Sequence, residues 1–164
     1  MDPHGDVQLW YTVYRLEAKY WHEVDINGGR DAHEFFMPDG VMVVGDNEFH
    51  GRDRIKEFYQ WRARQAATSV RTAKTMRHLI NNLYVEASGD GWADVVGVVS
   101  FYGGSPFPAA RQSKPPMLVA DLANRCVPGE DGVWRFQSHT VKPVFMSPEV
   151  PLSIAIDTHR TAPR

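Results

Sequence analysis

Thr75-Met76-Arg77-His78-Leu79-Ile80-Asn81-Asn82-Leu83-Tyr84-Val85 is the stretch whose reading decides the fold. It is a strand-like run, and three more follow it, over about residues 92–102, 117–127 and 133–145. Ser88-Gly89-Asp90-Gly91 and Pro128-Gly129-Glu130-Asp131-Gly132 have the composition of hairpin connections. Gly103 to Pro116 is a longer Pro/Gly-rich loop, expected to fold over a pocket.

Ahead of these strands the spacing changes to that of helices. Leu9, Val13, Leu16, Tyr20 and Val24 recur every three or four positions, which predicts a helix over 7–24 that ends near Asn27-Gly28-Gly29. Asp31 is placed to cap a short second helix running through Phe35-Phe36. Pro38-Asp39-Gly40 then reads as a turn, Val41 to Val44 as a short strand, Gly45-Asp46-Asn47 as a hairpin turn and Glu48-Phe49-His50 as the returning partner. After Gly51, the residues Ile55, Phe58, Tyr59 and Trp61 predict a third helix to about Ala66. Three helices followed by a run of strands imply α+β architecture, a curved antiparallel or mixed sheet wrapped around the helices as a cone. The wide end of a cone is a natural small-molecule pocket. One domain over 1–146 and a partly disordered tail over 147–164 are expected.

The 164 residues are 43% hydrophobic and 12% aromatic, enough for one core without disulfides. With 18 Lys and Arg against 20 Asp and Glu and no basic block, nucleic acid is not an expected partner. The lone Cys126 and a start without a basic or apolar leader point to the cytoplasm, and no apolar run nears the roughly 20 residues that span a bilayer, so no membrane is expected. No histidine, cysteine and carboxylate spacing matches a metal site, and no Gly-x-Ser-x-Gly elbow or phosphate loop is present. The five tryptophans read as core or interface.

What remains is acid–base chemistry. Imidazole moves a proton near neutral pH, and a neighbouring carboxylate fixes its tautomer. His78 shares strand parity with Met76, Ile80, Asn82 and Tyr84, but the opposite parity is also largely apolar, so pattern alone leaves the inward face open. Tyr20 lies on the first helix's apolar stripe with Val24, and Asp25 follows at its end. Taken singly, Tyr20 reads equally well as core, Asp25 as a helix end and His78 as a partner for buried backbone.

The order of elements, with Glu34-Phe35-Phe36-Met37-Pro38-Asp39-Gly40, Gly51-Arg52-Asp53 and Arg77-His78-Leu79-Ile80-Asn81-Asn82, resembles the nuclear transport factor 2-like superfamily over about residues 7–145. The chain is most similar to its polyketide-cyclase-like branch, alongside scytalone dehydratase, bile acid 7-alpha-dehydratase and the beta subunits of ring-hydroxylating dioxygenases. This resemblance carries Tyr20 and Asp25 onto a catalytic Tyr-x4-Asp and His78 onto a catalytic strand histidine. It turns the His78 parity inward. Where bile acid dehydratases have an inward arginine on the last strand, this chain offers Lys142, with His139 on the opposite strand face. Tyr59, Trp61, Asn82, Lys142 and His139 are the expected substrate contacts.

The resemblance implies a cofactor-free lyase, a dehydratase, or an isomerase acting on an apolar cyclic or polyketide-like molecule. Asp25 would orient His78, His78 would take a proton next to a carbonyl, and Tyr20 would hydrogen-bond the enolate oxygen or a leaving hydroxyl. A noncatalytic dioxygenase beta-type subunit and a small-molecule binding module are the alternatives on the same scaffold. A homodimer or homotrimer is also implied, paired through apolar outward positions of the strands over 92–102 and 117–127.

Overall fold

The structure, a computed structural model, describes residues 3–68, 75–104 and 114–148. Most of the Gly103–Pro116 loop and of the expected tail lies outside the described residues. Helix α1 spans Pro3–Asn27 and α2 spans Arg52–Thr68. The strands are β1 (Phe36–Val44), β2 (Asn47–His50), β3 (Thr75–Gly89), β4 (Trp92–Gly104), β5 (Leu118–Pro128) and β6 (Trp134–Met146). They form one six-stranded sheet in the order β2-β1-β6-β5-β4-β3. The β1–β6 pairing is parallel and the rest are antiparallel, so the sheet is mixed, curved and not closed.

Helix α1 packs on β3 and β6, and α2 on β1 and β2. Between them lies the core: Val13, Tyr20 and Val24 of α1, Ile55 and Phe58 of α2, Val95 and Val99 of β4, Leu122 of β5 and Phe136 of β6. Arg52 ties the start of α2 to β1 by donating from Nε and Nη2 to the Phe36 carbonyl at 3.2 and 2.5 Å.

The helix count and two local assignments differ from the sequence reading. The expected second helix is a single 3₁₀ turn, Ala32–Phe35, and Asp31 makes no side-chain cap. The Asp31 amide is instead bonded at 2.9 Å by Glu23 Oε1, a carboxylate reaching back from the last turns of α1. Pro38-Asp39-Gly40 is not a turn but lies within β1. Pairing jumps from Phe36–Phe136 to Val41–Ser138, so these residues bulge from the parallel ladder, as a proline without an N–H requires.

Bulges also decide which side chains face inward. On β3 the pairing runs Asn81–Val98 and then Tyr84–Val96, leaving one extra residue where Asn82 adopts φ +51°. Before it, His78 and Ile80 are half-buried; after it, Leu83 and Val85 are half-buried while Asn82 and Tyr84 are exposed. On β6, Arg125–Ser138 is followed by Cys126–Phe136, so Gln137 is the extra residue and both Phe136 and His139 turn inward.

Gly29 closes α1 at φ +77°, donating its N–H to the Glu23 carbonyl at 3.1 Å. A Cβ there would stand 2.2 Å from Tyr59 Cδ1, whereas one on Gly28, at φ +69°, would meet nothing within 4 Å. Alanine at either position costs about 1–2 kcal/mol for the left-handed backbone. Gly29→Ala is expected to lose measurably more in urea unfolding than Gly28→Ala, because only it pushes the Tyr59 ring aside.

Candidate active site

The last turn of α1 meets the edge strand β3 at Asp25 and His78. Asp25 Oδ2 accepts the His78 backbone N–H at 2.8 Å, an edge-strand donor facing away from β4, and Oδ1 accepts His78 Nδ1–H at 2.6 Å. Both side chains are nearly buried, with 8% of Asp25 and 10% of His78 exposed. Because a carboxylate only accepts, the bond places the hydrogen on Nδ1 of the neutral ring and leaves Nε2 as its basic nitrogen.

Aromatic rings hold that imidazole on both faces. Trp21 stacks on it at 4.2 Å between centroids and Phe101, paired across from it on β4, at 4.9 Å. Burial lowers the His78 pKa below its ordinary 6.5. The Asp25 bond and charge oppose this shift, while Arg62 and His139 add to it.

The ring lines a cavity of about 60 Å³ with Tyr20, Tyr59, Phe58, Arg62, Val99, Phe101 and Leu118 among its walls. Tyr20 and Tyr59 are hydroxyl to hydroxyl at 2.5 Å, and Tyr20 Oη also lies 3.8 Å from Met42 Sδ. Burial raises both phenol pKa values above 10.0, so both are neutral donors near pH 7. The rise is partly offset at Tyr59 by the Arg62 charge and by the bond from Tyr20. A larger groove of about 390 Å³ between the outer face of α1 and the β5–β6 hairpin contains Tyr11, Arg15 and Trp134, but neither His78 nor Asp25. His78 lines the smaller cavity.

Of the expected residues, the structure brings Tyr20, Tyr59 and His78 to this cavity, with Asp25 bonded behind the histidine. Asn82 is exposed because the β3 bulge flips its parity, and Lys142 is exposed on the outer strand face next to buried Val141. Trp61 is half-buried beside Phe58, on the flank of α2, while Phe58, Tyr59 and Arg62 face the cavity. His139 is wholly buried behind Tyr20 and Phe136 rather than at a ligand surface.

That histidine belongs to a cluster the sequence reading missed. Glu17, with no exposed side-chain surface, accepts from Trp21 Nε1 at 3.1 Å, from Asn124 Nδ2 and from His139 Nε2 at 3.4 Å. Glu17, Trp21 and Asp25 form an i, i+4, i+8 stripe on α1, so the residue stacked on His78 is itself pinned by a buried carboxylate. Arg62 was missed as well; its position four residues beyond Phe58 on the same helical face was the available signal. Cys126 is buried and its thiol pKa is pushed up by burial, which removes it as a nucleophile. Among the described residues no three His, Cys, Asp or Glu side chains gather as a metal site, and no helix is long and apolar enough to cross a membrane.

A curved open sheet over two helices, with His78 lining a cavity and Asp25 bonded behind it, defines a cone-type α+β scaffold. The chain belongs to the SnoaL-like domain family, matched over residues 11–140, within the nuclear transport factor 2-like superfamily. Among solved structures it is similar to a provisionally assigned scytalone dehydratase of Novosphingobium aromaticivorans, at 18% identity and TM-score 0.68 over 88% of this chain and 89% of that one. A provisionally assigned aromatic ring hydroxylase of the same organism gives 18% identity and TM-score 0.64 over 88% and 93%. An NTF2-like protein with a cystatin-like fold, also from that organism, gives 16% and 0.63 over 84% and 83%. At such identities the likeness is one of fold. No curated protein sequence matches the chain.

Proposed function

We propose that the protein is a cofactor-free lyase of the dehydratase type, or an isomerase, acting on a small cyclic compound with an enolisable carbonyl. The observation that carries this reading is the His78–Asp25 pair, bonded at 2.6 Å, with its imidazole clamped between two aromatic rings and lining a largely apolar cavity. A neutral histidine is a competent base, and His78 Nε2 takes the proton α to the carbonyl. Asp25 stabilises the resulting imidazolium. The electron pair moves into an enolate whose oxygen receives a hydrogen bond from the Tyr59–Tyr20 phenols. In a dehydratase the enolate expels a β-hydroxyl, which leaves as water with the proton from His78; in an isomerase the same proton returns to a different carbon.

Tyr59 takes the role expected of Tyr20. Tyr20 is the more deeply held phenol, engaged by Tyr59 and Met42, and it orders Tyr59 from behind. One observation favours the noncatalytic reading, in which the scaffold binds a metabolite or assembles with a partner. The cavity is about 60 Å³, well below the roughly 300 Å³ at which ligand pockets begin, so a ring must displace its walls. The test is proton NMR of cyclic ketones and β-hydroxy ketones in deuterium oxide with the protein. Enzymatic reading expects deuterium to enter at the α-carbon or water to be lost on at least one of them. A panel left wholly unchanged favours the noncatalytic reading.

A further inference from the structure

We propose that Arg62 is the anion-binding element of this cavity and that its ligand is a small organic acid, a ring compound carrying a carboxylate beside the enolisable position. Among the residues lining the cavity Arg62 supplies the cation. The other polar lining groups are two phenols and an imidazole, and the Asp25 charge behind His78 is already satisfied by two N–H bonds. Nothing anionic in the lining opposes an acid.

Among the described residues the guanidinium is also unneutralised. Arg30, Arg54, Arg125 and Arg135 each pair with a carboxylate, whereas among the described residues Arg62 has no ion pair. Its hydrogen bond goes to Met76 Sδ at 3.3 Å, a weak acceptor, and its Cζ lies 5.8 Å from the ring centroids of both Phe58 and Tyr59. The two internal segments outside the description, 69–74 and 105–113, contain no Asp or Glu in the sequence. A planar fork of donors with only a thioether to bind among the described residues fits a carboxylate, which takes two parallel bonds from it.

Position makes the same point. Of the lining residues, Val44, Arg62 and His78 are the partly exposed ones, so they mark the side from which a ligand enters. Arg62 is the one of these with a long flexible stem. Its head can therefore move with an incoming acid and enlarge the cavity, while Phe58, Phe101 and Leu118 hold the ring. The carboxylate on Arg62 would leave the neighbouring carbon between Tyr59 and His78. Binding of an acid stands on the cavity's charge alone; that the bound acid is also the reactant rests on the acid–base reading above.

The experiment is isothermal titration calorimetry of the full chain with benzoate and with its neutral isostere benzamide. Benzoate is expected to bind at least about tenfold more tightly, the scale of a charge-assisted bidentate contact. Arg62→Gln and Arg62→Met are each expected to abolish that preference, with benzoate affinity falling far more than benzamide affinity, and Arg62→Lys to keep part of it. Circular dichroism confirms folding of each variant. Equal affinity for the two ligands, binding of neither, or a benzoate preference that survives both neutral variants overturns the proposal. If the Arg62-dependent preference holds while no compound exchanges deuterium, the acid site stands and the catalytic reading falls.

Discussion

His78→Ala is expected to reduce deuterium exchange into a responsive substrate by about 10²- to 10⁴-fold, the usual contribution of a positioned general base. The loss should fall on kcat. Benzoate affinity should change little, since Arg62 and the apolar walls remain. His78→Gln, which keeps a polar group between Trp21 and Phe101 but cannot take a proton near pH 7, is expected to be as inactive, separating proton transfer from packing. Exchange within a few-fold of the original protein in both variants would contradict His78 as the base.

The second large effect is on folding. Glu17→Ala removes the acceptor shared by Trp21, Asn124 and His139, all of them buried. Three donors are then left without their carboxylate, alongside a His139 Nδ1 that already has no partner among the described residues. Leaving buried donors without an acceptor costs about 1–3 kcal/mol each, read as a lowered urea midpoint. Glu17→Gln keeps an acceptor oxygen and is expected to lose clearly less. A loss below about 1 kcal/mol on Glu17→Ala would show that the cluster does not hold α1 to β5 and β6.

How far the sequence revealed this arrangement depended on what each signal measures. Apolar periodicity located both long helices, because burying one face imposes a period of 3.6, and strand-like runs between glycine-bearing turns located all four long strands. The same logic failed where the backbone departs from regularity. Strand parity put Asn82 beside His78, but one inserted residue at φ +51° sends Asn82 outward and brings Leu83 inward. Counting in twos along β6 likewise gives no warning that Phe136 and His139 share a face, since a bulge at Gln137 lies between them. Glu17 was hidden for another reason: a carboxylate in a helix reads as solvated surface until its three donors, from its own helix and two distant strands, are known. Arg62, four residues beyond Phe58, shares its helical face, but only the assembled cavity shows that nothing in its lining neutralises it. Tyr20, Asp25 and His78 were found through a family resemblance, and the residues alone had left them undecided.

The central claim is that His78 rests as a neutral base, bonded through Nδ1 to Asp25 and buried enough to hold its proton weakly. A ¹⁵N-resolved NMR titration of the His78 ring tests it most directly and needs no substrate. The account predicts a protonated Nδ1 and a bare Nε2 at pH 7, with a midpoint below the ordinary 6.5 because burial outweighs the Asp25 bond. The linked folding free energy follows from the sign. In the window below pH 6.5 the unfolded chain binds the His78 proton first, so the His78 contribution to stability is complete above pH 6.5 and is lost as pH falls through the folded midpoint. An imidazolium at pH 7, or a midpoint above 6.5, would contradict the account.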